Sequence, residues 1–229
     1  MNEEPTRGAS RTTERSTMPS SPDRLGGRLP LLRPADLDEE QQQVHDVLTR
    51  IVVPEAAAGG FTARLADGRF IGPFNALLRA PRIALGLGAW TGRITEAGLA
   101  EDVRQAVILT VGSAWQAAYE IDAHVAAARA AGLPETAITA LVDGTAPIGL
   151  SADADAAHRL TTSLLTGRGV PDELYAEAIG RFGEPGVVAI LCLIGQYQTI
   201  SSILVCFRVP VPPSSRSSAS SVEQRPGLG

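Results

Sequence analysis

Glycine and proline divide residues 29–207 into short segments, and these segments carry the apolar spacing of helices. A short helix is predicted between Pro73 and Pro81, and two longer helices are predicted to meet at Gly183. No strand alternation interrupts the helical patterns after Pro134. The positions of glycine and proline, together with the helical spacing of the apolar residues, therefore predict an all-α protein.

Residues 113–133 gather most of the side chains that can do chemistry. Ser113 followed by Gln116 is typical of a capping box, so a helix is predicted to start at Ser113. Gln116, Glu120 and His124 then recur every four residues, which predicts that they share one stripe of that helix. The sequence thus predicts a carboxylate one helical turn from an imidazole.

A histidine and a carboxylate at this spacing form a workable acid/base pair, although the same spacing also occurs in solvated surface pairs. The residues around Glu120 and His124 are small and apolar, which favours burial and hence the acid/base interpretation. Trp115 and Tyr119 are predicted on the neighbouring stripe, either as the aromatic wall of a pocket or as core residues.

With 229 residues, 44% of them hydrophobic, the chain is long enough for one domain with a real core. We predict a folded domain over residues 29–211, flanked by disordered polar tails at 1–28 and 212–229. The last apolar stretch, from Pro185 to Phe207, is interpreted as a core or subunit-interface helix because several polar residues interrupt it, so no membrane partner is predicted.

The formal net charge of -5 and the lack of a basic run beside aromatic residues argue against a nucleic-acid partner. All 20 cationic residues are arginine, so Schiff-base chemistry and a phosphate-loop lysine are excluded. Cys192 and Cys206 form neither a CxxC pair nor a zinc pattern and suit a reducing cytoplasm. The histidine spacing predicts no metal site, and His45 is interpreted as a partly exposed surface residue.

Three phrases, GPFNALLRAP, AWQAAYEIDAHVAAARAAGL and CFRVPVP, occur in this order between residues 31 and 213. With them the chain resembles the carboxymuconolactone decarboxylase family. The resemblance implies an alkylhydroperoxidase-D-like bundle of about seven to eight helices that forms homo-oligomers, as trimers or hexamers. It also implies a lyase that uses neither a metal nor an organic cofactor.

Within this resemblance we expect a small-molecule substrate, namely a ring compound that carries a carboxylate, a lactone or a carbonyl group. His124 is predicted to transfer the proton, with Glu120 orienting or charging it. Gln105 and Gln116 are predicted to hydrogen-bond the substrate. Three aromatic residues are predicted to shape the pocket: Trp115, Tyr119 and Phe74.

The related peroxidase branch has cysteines where this chain has Ala117 and Glu120, and an acid where it has Gln105. Thiol-based peroxide reduction needs an attacking and a resolving thiol, so the peroxiredoxin-type activity that the family label implies is disfavoured. The same departures leave open a second alternative, in which the chain is a non-catalytic oligomer that binds a small molecule.

Overall fold

The computed structural model describes residues 21–167 and 169–213, whose regular structure is helical apart from one isolated β-bridge. The all-α class predicted from the sequence is confirmed. Two short 3-10 helices, Ser21–Gly26 and Pro34–Asp36, precede the α-helices of these described ranges. The α-helices are α1 (Glu39–Gly59), α2 (Pro73–Leu77), α3 (Pro81–Glu96), α4 (Glu101–Trp115), α5 (Ala118–Ala130), α6 (Glu135–Asp143), α7 (Ala152–Gly167) and α8 (Asp172–Cys206).

Helix α4 lies at the centre of the fold and contacts α5, α6, α7 and α8. Its apolar side chains from Val103 to Val111 form the main hydrophobic core together with residues of α6, α7 and α8. A helix enclosed in this way is apolar around most of its circumference rather than on one stripe. The few polar side chains of α4 that point inward must therefore find partners within the protein.

Helix α8 is broken at Gly183, where φ is 64° and the backbone leaves the helical region. Glycine adopts this conformation without the steric cost that a Cβ atom would add, and Pro185 suits the start of the next helical segment. Two helical segments meet at Gly183, as the sequence predicts. The most apolar stretch of α8 is long and hydrophobic enough to cross a membrane. However, 44% of this stretch is buried inside the protein, and the core helices of soluble proteins can have the same length and hydropathy.

The predicted helix start at Ser113 is wrong, because Ser113 lies near the end of α4 and the chain turns between α4 and α5. The Ser113 hydroxyl does not cap a helix but donates a hydrogen bond to the carbonyl of Val142 at 2.9 Å. Gln116 has φ 54° and ends α4, and α5 begins two residues later at Ala118. Gln116 therefore does not share a helical stripe with Glu120 and His124.

Residues 21–28, which the sequence analysis assigns to a disordered tail, include a 3-10 helix and pack on the end of α8. The backbone N–H of Arg28 donates to the carbonyl of Phe207 at 2.7 Å, and its guanidinium donates to the carbonyl of Cys206 at 2.9 Å. The last carbonyls of a helix need such partners. Residues 1–20 and 214–229 of the predicted tails lie outside the described residues.

Helix α1 continues through Pro54, although a proline inside a helix usually ends or kinks it. The side chain of Asp38 and that of Gln41 form a capping box at the helix start. Pro54 is exposed, whereas Ala56 in the following turn is buried. Packing of that turn offsets the loss of the backbone hydrogen bond that proline cannot donate.

Gly72 sits directly against the ring of Tyr119 at the start of α2. Its φ is 65°, and a Cβ atom built on it would lie 2.6 Å from the Tyr119 hydroxyl oxygen. That hydroxyl donates to the carbonyl of Thr62 at 2.7 Å, so Tyr119 joins α5 to the segment before α2. Only glycine satisfies both the backbone angle and the close approach.

Gly72→Ala is therefore expected to lower the free energy of unfolding by about 3 kcal/mol or more, because it adds backbone strain and a steric overlap. The matched control is Gly180→Ala, at an exposed position in the first segment of α8 where a Cβ atom has no neighbour within 4 Å. It is expected to stabilise the protein by up to about 1 kcal/mol through helix propensity. Urea denaturation of both variants measures this, and equal effects would contradict the account.

Candidate functional site

His124 and Gln105 meet between α5 and α4. The Nδ1 atom of His124 lies 3.0 Å from Oε1 of Gln105, whose amide nitrogen donates to Glu101 Oε1 at 2.6 Å. The bond to Glu101 fixes which end of the amide faces the histidine. Because an amide oxygen can only accept, His124 carries its proton on Nδ1, and its Nε2 keeps a free lone pair.

Glu120 is 3% exposed and points into the same helical layer, one turn before His124 on α5. The hydroxyl of Ser201 lies 3.0 Å from each of its carboxyl oxygens. Across α4 the neighbour is Gly112, where an added Cβ atom would lie 3.0 Å from Glu120 Oε1. The carboxyl group thus fits between a serine of α8 and a glycine of α4.

Tyr197 of α8 packs against the imidazole of His124, with ring centroids 5.2 Å apart and ring planes at 84°. Tyr197 and Ser201 are one turn apart on α8, and they contact His124 and Glu120, which are one turn apart on α5. As the numbering rises along α8 it falls along α5, so the two helices present matched pairs of side chains. Neither of the two α8 residues was predicted from the sequence. The available signal for them was the four-residue spacing of two polar side chains in an apolar helix.

Burial shifts the pKa values of the two ionisable groups in opposite directions. Loss of hydration raises the pKa of Glu120 to about 8, against the smaller opposing effect of the Ser201 hydrogen bond. Loss of hydration also lowers the pKa of His124 to about 4, helped by the positive charge of Arg104. At neutral pH Glu120 therefore holds a proton and His124 is uncharged.

The structure thus brings together three of the predicted site residues: Glu120, His124 and Gln105. Gln105 contacts the imidazole directly, whereas Glu120 bonds to Ser201 and has no hydrogen bond to His124. The role of orienting the histidine, which was predicted for Glu120, is therefore taken by Gln105.

The other four predicted residues lie elsewhere. Gln116 is exposed in the turn between α4 and α5, and Trp115 is 37% exposed at the end of α4. The hydroxyl of Tyr119 bonds to the segment before α2, and Phe74 packs against Phe70 at a centroid distance of 6.0 Å. Their predicted roles in substrate binding stay predictions, since none of the contacts described above joins them to His124.

The remaining histidines have structural partners. His45, interpreted from sequence as partly exposed, is buried at 8% exposure because it packs on Phe70, and its Nε2 lies 3.0 Å from the carbonyl of Gly68. His158 Nδ1 lies 2.8 Å from the Thr110 hydroxyl. Within residues 21–167 and 169–213, no group of three or more histidine, cysteine or acidic side chains is placed to hold a metal ion.

A cavity of about 360 Å³ opens at a different place, between the second half of α1 and the segment before α2. None of the predicted site residues lines it. Its lining consists of Val53, Ala56, Ala57, Phe61, Thr62, Ala63, Arg64, Leu65 and Ala66.

Comparison with known proteins supports the predicted relationship. Residues 81–163 match the sequence profile of the carboxymuconolactone decarboxylase family. This range contains Gln105, Glu120 and His124 but ends before α8. A search of curated proteins found no match.

The fold resembles a crystal structure from Agrobacterium tumefaciens of a protein of unknown function, described as a candidate antioxidant defence protein AhpD. The TM-score is 0.53 at 21% sequence identity, and the match covers 58% of this chain and 92% of the other. The two comparisons together confirm the family resemblance and the alkylhydroperoxidase-D-like helical fold predicted from the sequence.

Glu120→Gln is expected to remove a pH dependence of stability. Between pH 4.5 and about 8 the folded state holds a proton on Glu120 that the unfolded state has released, so stability falls as pH rises, by at most about 1.4 kcal/mol per pH unit. His124 contributes the opposite slope between about pH 4 and 6.5, which leaves pH 6.5 to 8 as the clearest window.

Urea denaturation at several pH values in this window measures the slope. Asp122→Asn, at an exposed position of the same helix, is the control and is expected to keep the wild-type slope. An unchanged slope in Glu120→Gln would show that the carboxyl group is not held protonated in the folded state.

Proposed function

We propose that this chain, a member of the carboxymuconolactone decarboxylase family through residues 81–163, is a cofactor-independent acid/base enzyme. Its reaction is a decarboxylation, or related chemistry, on a small ring compound that carries a carboxylate, a lactone or a carbonyl. The observation that carries the proposal is the pairing of buried Glu120 with half-buried His124 one helical turn away, whose pKa values are shifted apart around neutrality. Such pairs define an acid and a base in one site.

The roles follow from the protonation states. His124 is the base, because its Nδ1–H is engaged by Gln105 and its uncharged Nε2 has no hydrogen bond to any described residue. Glu120 is the acid, because it is protonated at neutral pH and lies one turn away. This assignment differs from the sequence-based hypothesis, in which Glu120 was to charge the histidine.

A decarboxylation balances with these two groups. His124 Nε2 takes the proton of the substrate's carboxyl group, the carbon–carbon bond to that group breaks, carbon dioxide leaves, and the electron pair moves onto the neighbouring carbonyl as an enolate. Glu120 then gives its proton to the carbon and regains one from solvent, while His124 releases the proton that it took. Positioned acids and bases of this kind contribute about 10²–10⁴-fold to a rate.

The two cysteines do not favour a thiol peroxidase. Cys192 packs against the main core and Cys206 is exposed, and both lie on the continuous second segment of α8. Fourteen residues of helix separate them by about 21 Å, far beyond the reach of a disulfide. Within one chain they cannot act as an attacking and a resolving thiol.

We also propose that the active form is a homo-oligomer that contacts through α3. Ile83 and Trp90 lie two turns apart on one face of this helix and are 67% and 50% exposed. The glycines between and beside them, Gly86 and Gly92, leave room for close approach of another helix. Exposed apolar patches of this kind mark contact surfaces.

The pH profile of turnover tests the acid/base assignment. With candidate lactone acids as substrates, kcat/KM is expected to rise as His124 loses its proton near pH 4 and to fall as Glu120 loses its proton near pH 8. Glu120→Gln is expected to lose about 10²-fold or more in kcat and to lose the alkaline limb. Release of carbon dioxide and loss of the lactone measure turnover.

His124→Ala is expected to abolish turnover, while Asp122→Asn serves as the unaffected control. Full activity in both Glu120→Gln and His124→Ala would end the proposal. A thermal-shift series with the same acids separates an enzyme from a binding protein, since a binder is stabilised by its ligand but forms no product.

A further inference from the structure

We propose that Tyr197 contacts the substrate and donates a hydrogen bond to a carbonyl oxygen that gains negative charge in the reaction. This inference rests on the proposed function and narrows its substrate class. The substrate is an enolisable carbonyl compound, such as a lactone or a keto acid, whose oxygen lies beside the imidazole of His124.

Geometry places the tyrosine in the site. Its ring packs edge-to-face on His124, which holds the side chain in one orientation. One turn later on the same helix, Ser201 bonds to Glu120, so this part of α8 faces the acid and the base together. The tyrosine ring therefore forms one wall of any site that includes the imidazole of His124.

Tyr197 is half-buried, and its hydroxyl has no hydrogen-bond partner among residues 21–167 and 169–213. Tyr119 shows the ordinary case, in which a buried tyrosine donates to a backbone carbonyl, here that of Thr62 at 2.7 Å. A hydroxyl that no protein acceptor holds can donate to water or to a bound ligand. Tyr197 thus offers a hydroxyl without a protein partner on a ring that packs against the imidazole, whose Nε2 is also unpaired.

Charges around the ring suit an oxygen that becomes negative. The side chain of Arg104 is only 17% exposed, and its positive charge acts on both Tyr197 and His124. Of the acids that face Tyr197, Glu101 lies 3.4 Å from Arg104 Nε, Glu120 is protonated at neutral pH, and Glu55 is exposed.

Burial is the largest influence on the tyrosine itself and raises its pKa well above the usual range. The hydroxyl therefore keeps its proton at neutral pH and acts as a donor.

The electron count is simple. When the carbon–carbon bond to the carboxylate breaks, its electron pair moves through the adjacent carbon onto the carbonyl oxygen. Tyr197 shares its proton with that oxygen but does not transfer it, and the proton that restores the product comes from Glu120. Donors placed where charge develops stabilise the transition state more than the ground state.

The test uses 4-nitrophenol as a probe, because its ionised form carries a delocalised oxyanion like an enolate and absorbs visible light. Spectroscopic titration of the full-length protein near pH 7 gives the affinity for this ion. Tyr197→Phe keeps the ring on His124 and removes only the hydroxyl, and it is expected to weaken binding by about 10- to 100-fold, as for a lost hydrogen bond to a charged group.

Tyr175→Phe, at an exposed position in the first segment of α8, is the matched control and is expected to bind like wild type. Equal affinity of Tyr197→Phe and wild type, or no binding of the probe by the wild type, overturns the inference. Failure of the proposed function is seen separately, as unchanged turnover of lactone acids in His124→Ala. If both hold, Tyr197→Phe lowers kcat more than it changes KM.

Discussion

Enclosure of the Glu120 carboxyl group between three helices is the constraint on which the site depends. The group packs closely against Gly112 of α4, where a Cβ atom would lie 3.0 Å from Glu120 Oε1, and it accepts hydrogen bonds from the hydroxyl of Ser201. A carboxylate in such surroundings is costly, so the group retains its proton instead. The protonation state of Glu120 is thus set by its packing rather than by an ion pair.

His124 responds to the same enclosure in the opposite sense. Its imidazole stays uncharged, and the amide of Gln105 decides which nitrogen carries the hydrogen. A carboxylate at position 105 would instead favour the charged imidazole. Glutamine therefore changes the histidine from a charged partner into a neutral base, while Glu101 holds the amide in place from one turn away. Gln105, which differs from the acid of the peroxidase branch, therefore has a chemical role in keeping His124 neutral.

Much of the architecture follows from local sequence signals. Pro73 and Pro81 bracket α2, Gly183 divides α8, and the four-residue spacing puts Glu120 and His124 on one face of α5. Each of these signals acts within one or two helical turns, where steric preferences of the backbone decide the outcome.

The errors arise where distant contacts override such preferences. Ser113 bonds to Val142 rather than capping a helix, and Gln116 takes a left-handed conformation that glutamine rarely adopts alone. Tyr197 and Ser201 lie more than seventy residues from their partners, so only the folded chain reveals the pairing. Tyr119 was expected at a pocket wall because an aromatic side chain does not disclose whether it will meet a ligand or a neighbouring segment.

The protonation state of His124 is the most direct test of the proposed acid/base site. Nitrogen-15 NMR of histidine-labelled protein distinguishes the two ring nitrogens and follows their titration. The expected result is a neutral ring at pH 7 with its hydrogen on Nδ1 and a titration midpoint near pH 4. A charged ring at pH 7, or a neutral ring with its hydrogen on Nε2, would contradict it.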